Sequence, residues 1–152
     1  MLDRRAADTC WVDADDLDYW REHPDPTEDE IRQLCEAWLV YQREDHDGGV
    51  DTDDPNWWAV DAALDAESEP EPERIWSVIL RLCELASRDD PAVVMIGAGP
   101  LESMIFQHGD RAMDLIEPAA DENGTLFAAL TYVWAFSESV RPRIERYLLR
   151  RG

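Results

Sequence analysis

Between Ile96 and Arg111, Glu102 and His108 are the residues whose types suit acid–base work. One is a carboxylate that can take a proton; the other is an imidazole that titrates near neutrality. Asp110 or Arg111 would complete such a site, so Glu102, His108 and Asp110 are the candidate catalytic residues. Their spacing weighs against direct contact. Six residues along one straight helix leave two side chains about 120° out of alignment. Ser103, beside Glu102, lacks the strand-to-helix elbow that a nucleophilic serine requires. The structural reading of the same residues is capping, with the carboxylate complementing the start of a short helix and the histidine its end.

A second concentration of polar chemistry is Glu44-Asp45-His46-Asp47-Gly48-Gly49-Val50-Asp51-Thr52-Asp53-Asp54. Counted from Asp45, the fifth position of a calcium loop is Gly49 and the sixth is Val50. The EF-hand template, with an acid at position 5 and glycine at position 6, therefore fails. A looser hard-cation site is the alternative. Zinc is weaker still, because His46 is a lone imidazole far in sequence from His23 and His108. The expectation is no metal and no cofactor. Trp57 and Trp58 follow directly, and adjacent helical residues diverge by about 100°. One of them can then stand exposed beside the acidic loop as a protein-binding anchor; the other reading has both covered by the N-terminal arm. Asp51, Asp53, Asp54, Trp57 and Trp58 are the candidate partner-binding residues.

These groups belong to a chain of 152 residues with 35 Asp+Glu, 14 basic residues that are all Arg, and a net charge of −21. That length and an apolar content of 45 % fit one domain with a real core. The charge is lopsided. Residues 1–73 hold 24 acids against 5 arginines, a net −19; residues 74–152 hold 11 against 9, a net −2. Such acidity repels nucleic-acid phosphates and anionic membranes and excludes both as partners. Cys10, Cys35 and Cys83 form no paired motif and read as reduced, buried thiols. The N-terminus meets charge at once, and the charge-free run Asn123 to Ser137 is shorter than the roughly 20 residues of a membrane helix. A cytoplasmic protein is expected.

The elements that must position these groups read as helices. Thr27 and Glu30 form a capping box, followed by Ile31, Leu34, Cys35, Trp38 and Leu39 on one face, to about Tyr41. Pro55 opens a short helix to about Asp65. Ile75, Trp76, Ile79, Leu82, Cys83 and Ala86 mark the next stripe, and Asp90-Pro91 starts another short helix. Asp110 caps a helix ended near Pro118; Leu126, Phe127, Leu130, Val133 and Trp134 form a further stripe; Ser139 caps the last helix. The expected architecture is a single all-α domain over 1–152. It comprises an irregular acidic, aromatic-pinned arm (1–26), an acidic helical part (27–66), a Pro/Glu hinge (67–72) and a helical core (73–150). Short antiparallel helix pairs would stack as a compact bundle or a small HEAT-like α-solenoid.

Val93-Val94-Met95-Ile96-Gly97-Ala98-Gly99-Pro100-Leu101-Glu102 imitates the strand and glycine turn of a dinucleotide site. The fingerprint fails at Glu102, where a small residue is needed, and only about 50 residues follow. The helical reading makes Gly97 a helix end, Gly99 a turn or N-cap, Pro100 the first helical residue and Glu102 a first-turn acid. Ile96-Gly97-Ala98-Gly99-Pro100-Leu101-Glu102, then His108-Gly109, then Phe127, Leu130 and Trp134, resembles a bacterial family of small helical proteins of unknown function, over about Ile75 to Leu149. The resemblance implies a helical domain with an A-G-P-L-E…H-G core and implies no activity. Three functions stay open. The leading one is a non-catalytic binder that neutralises a basic protein partner, immunity-like or an inhibitor. The others are a small enzyme using Glu102 and His108, and an oligomeric structural protein, a homo-oligomer of this chain.

Overall fold

The computed structural model describes residues 19–44, 46, 49–134 and 137–151. The first eighteen residues, with Cys10 and most of the expected arm, lie outside them. The protein is 71 % helical, with no strand among the described residues, so the all-α expectation holds. No helix there is long and apolar enough to cross a membrane.

Helix α1 (Glu28–Arg43) starts as its local chemistry dictates. The Glu30 amide donates to Thr27 Oγ1 at 3.1 Å and the Thr27 amide to Glu30 Oε1 at 2.8 Å, closing both arms of the capping box. Its buried stripe of Ile31, Leu34, Cys35, Trp38 and Leu39 faces α2 (Trp57–Glu67) and α3 (Glu73–Leu85). Helix α2 buries only small residues apart from Val60, namely Ala59, Ala62, Ala63 and Ala66, which lets its neighbours approach closely. Cys35 and Cys83 are buried free thiols, each pushed up to about 12 by burial, and are correspondingly inert. The described end of the arm is pinned by Trp20, whose indole N–H donates to the Ala62 carbonyl at 2.7 Å beneath the Arg74 guanidinium.

Helix α4 (Val93–Ile96), a π-turn (Gly97–Leu101) and α5 (Glu102–His108) form one continuous helical rod. This corrects the expected break. Gly97 has φ −69° and ψ −48°, an ordinary helical conformation, and the chain absorbs Pro100 by widening to the π-turn rather than by stopping. The glycine is needed for packing, because a Cβ there would sit 2.1 Å from the Ala129 carbonyl oxygen of α7 (Gly124–Leu130). Val93 to Ile96 is helical, so the strand that a nucleotide fold requires is absent from that position.

Gly109, at φ 52°, makes the sharp turn into α6 (Asp110–Glu122), and Asp110 is its first residue rather than its cap. Helix α6 runs through Pro118 instead of ending there, held on the core by Met113, Ile116 and Ala120. The last helix, α8, spans Arg141–Arg151, one residue beyond the start that a Ser139 cap implies, with Val140 and Arg141 amides both donating to the Ser137 carbonyl. Helix α7 stops at Leu130, so Val133 is buried while Trp134 is 80 % exposed. The expected helical stripe had placed Trp134 in the core; the early stop turns it outward.

Candidate functional site

Between α1 and α2 the acidic segment folds around Tyr41. The His46 ring stacks on the Tyr41 ring at 4.0 Å, and His46 Nε2 lies 2.8 Å from the Tyr41 carbonyl. The Asp51 amide donates to the Tyr41 hydroxyl at 2.9 Å. Asp51 and Asp54 carboxylates accept from the amides of Asp53 and Asn56, the local bonds that make such residues turn formers. Asp51 and Asp53 stay exposed and Asp54 is half-buried. Trp57 is half-buried against Tyr41, while Trp58 is 40 % exposed with Tyr19 of the arm tilted beside it at 5.5 Å. The two tryptophans diverge, and Tyr19 covers one side of Trp58.

Glu44, His46 and Asp54 bring possible ligand atoms within 4.8 Å of one another. Glu44 and Asp54 share a hydrogen bond that pushes the Glu44 carboxyl up and holds the Asp54 carboxyl down. His46 Nε2 faces a carbonyl oxygen, which makes that nitrogen the donor and leaves Nδ1 as the acceptor of the ring. The arrangement works as a clasp closing the turn.

The sequence candidates of the core are drawn to different partners. Glu102 Oε1 accepts from the Trp134 amide at 2.8 Å, tying α5 to the segment after α7. Asp110 pairs with Arg143 at 3.1 Å. His108 is half-buried in the last turn of α5.

Sequence reasoning did not find a groove where the end of α2 meets the π-turn. Two adjoining cavities, of about 370 and about 100 Å³, share Glu67 and Gly99. The larger is bordered by Glu102, Ser103 and Phe106; the smaller is floored by Trp38, Leu64, Met95 and Pro100. A Cβ on Gly99 would meet nothing within 4 Å, so this face of the rod is open. Burial pushes the Glu67 carboxyl up, and a hydrogen bond from Ser103 offsets this in part. Gln107 Nε2 donates to the Glu67 carbonyl at 2.7 Å and to Ser103 Oγ at 3.2 Å, holding the two elements in register.

A sequence family described as a family of unknown function (DUF6869) matches residues 46–152. This chain belongs to that family. No curated protein and no solved structure matches it. The DUF6869 region takes in the acidic turn from His46, the tryptophan pair, Glu67 and the whole rod, and so reaches well upstream of the Ile75 at which the sequence resemblance began. Helix α1 and its capping box precede it.

Within the DUF6869 region Glu102 has a structural task that its sequence position hid. Gln at 102 keeps an oxygen for the Trp134 amide but loses the charge assistance. Glu102→Gln is expected to lower stability by about 1 kcal/mol, the difference between a charged and a neutral acceptor. Chemical denaturation checks it. An unchanged midpoint together with loss of cellular function would assign Glu102 to chemistry instead.

Proposed function

We propose that this DUF6869 protein is a non-catalytic binding protein whose acidic N-terminal half docks a basic protein partner, in the manner of an immunity protein or inhibitor. The supporting observation is where the arginines go. Arg143 is held by Asp110, Asp114 and Glu117, Arg111 by Glu71 and Glu73, and Arg151 by Asp121. Six of the nine arginines of residues 74–152, Arg74, Arg81, Arg111, Arg141, Arg143 and Arg151, are thus ion-paired within the fold. Glu22, Asp25, Asp29, Asp51 and Asp53 are exposed, and no arginine is paired to them among the described residues. Unneutralised surface acids of one sign speed and select association with a basic surface. Asp51, Asp53 and Asp54, with Trp57 and Trp58 beside them, form the proposed docking face: charge at the rim and an aromatic anchor within it.

A cytoplasmic location, a bacterial source and the A-G-P-L-E…H-G signature belong to the same proposal, as does the exclusion of nucleic acid and membrane as partners. The enzyme alternative draws less support, because the carboxylates of Glu102 and Asp110 serve structural bonds. Self-association is favoured by one feature, the exposed Trp134.

Affinity capture from the source lysate, followed by mass spectrometry, identifies the partner. With it in hand, the triple variant Asp51→Asn, Asp53→Asn, Asp54→Asn should associate several-fold more slowly. Its melting temperature should be unchanged or slightly raised, since Asn preserves the turn-forming acceptors. An unaltered on-rate would remove this face from the interface.

A further inference from the structure

The groove between the end of α2 and the π-turn combines an apolar floor, an open glycine face and a carboxylate that no arginine pairs with among the described residues. We infer that it receives an arginine side chain of the basic partner, with the aliphatic stem on Leu64, Met95 and Pro100 and the guanidinium at Glu67. This rests on the proposed basic partner and adds a specific anchor to it.

The argument is charge complementarity. Glu67 borders both cavities, and among the described residues no arginine is paired with it. Its carboxyl is pushed up by burial, and Ser103 supplies a hydroxyl hydrogen bond but no charge. A half-buried anion facing an open cavity is stabilised by a cation that brings its own hydrogen-bond donors. Glu102, across the larger cavity, adds negative potential while holding the Trp134 amide. Arginine suits the site better than lysine. Its weakly hydrated planar head and long stem match an apolar slot ending in carboxylate, and Phe106, 62 % exposed at the mouth, offers a ring to stack on. The lack of a side chain at Gly99 keeps the slot open.

The test uses the full ¹⁵N-labelled chain, titrated with N-acetyl-arginine amide and with its uncharged analogue N-acetyl-citrulline amide. Saturable shifts are expected at the amides of Gly99, Ser103 and Phe106 with the arginine probe, and binding at least about tenfold weaker with citrulline. Glu67→Gln should weaken the arginine probe by a similar factor. This variant is expected to fold, since it removes a charge that burial disfavours. Gly99→Leu should abolish binding by filling the slot, whereas Asp51→Asn with Asp53→Asn should leave probe affinity unchanged. Equal binding of citrulline, shifts spread over the acidic surface without saturation, or wild-type affinity in Glu67→Gln would overturn the inference. The two proposals fail separately. A chain that holds the probe here but binds its partner independently of salt loses the acidic face and keeps the groove. A salt-dependent partner indifferent to Glu67→Gln loses the groove alone.

Discussion

Gly97→Ala should cost about 3 kcal/mol or more, a large share of the roughly 5–15 kcal/mol that holds a domain folded, whereas Gly99→Ala should be neutral or stabilising by up to about 1 kcal/mol. The two glycines lie two residues apart in the same π-turn and in helical conformation, so helix propensity alone favours alanine at both. Packing separates them. At Gly97 the added carbon would lie 2.1 Å from the Ala129 carbonyl oxygen and 2.9 Å from Tyr132 Cβ, and the first of these neighbours is backbone that cannot rotate away. Relief requires the rod to lift off α7, opening the contact that buries Ile96, Leu101, Leu126 and Ala129. At Gly99 the carbon enters the open groove. Urea denaturation followed by circular dichroism reads both variants. Equal stability of the two would mean that the π-turn does not lie against α7.

Arg143→Ala should lower stability by about 2 kcal/mol, a fall in Tm of about 5 °C for a chain of this size. Single exposed ion pairs are worth little, roughly 0.2–1 kcal/mol, and most of those on this surface fall in that class. Arg143 differs because one partly buried guanidinium serves three carboxylates of α6. It donates to Glu117 at 2.9 Å, Asp114 at 2.8 Å and Asp110 at 3.1 Å, and also to the Asp110 carbonyl. These acids are spaced so that they share one face of the helix. Without the arginine they repel one another, and α8 loses its polar attachment to α6 at this end. The Tyr147 hydroxyl, bonded to Asp121 at 2.7 Å, still holds the other end. Added salt should recover part of the deficit by screening the three acids. Arg143→Lys, with a point charge instead of a fork, should fall between wild type and Ala. A deficit in Arg143→Ala that ignores salt would show that packing of the stem, not charge, supplies the effect.

What could be read in the sequence was what is local. Thr27 and Glu30 form their capping box from three-residue spacing alone, and the α1 and α3 stripes follow from apolar periodicity. Punctuation residues misled where tertiary contacts decide the outcome. Gly97, Gly99 and Pro100 look like a break, yet burial of the rod against α7 holds them helical, and α6 likewise carries Pro118. Trp134 has the right spacing for a stripe, but its helix ends four residues earlier and its amide is taken by a carboxylate 32 positions away. The acidic turn and tryptophan pair were legible as residue types, though not the role of Tyr41 as their organiser. The groove was not legible at all. Glu67 lies at the end of one helix and Gly99 in the middle of another, and only the folded chain brings them to one cavity.

The central claim is that the acids of the N-terminal half draw in a basic partner, and the salt dependence of the association rate tests it most directly. Stopped-flow mixing with the captured partner, from low to physiological ionic strength and beyond, should show the on-rate falling steeply while dissociation changes little. A rate constant indifferent to salt across that range would contradict the account, because a surface of this charge could not then be what guides the encounter.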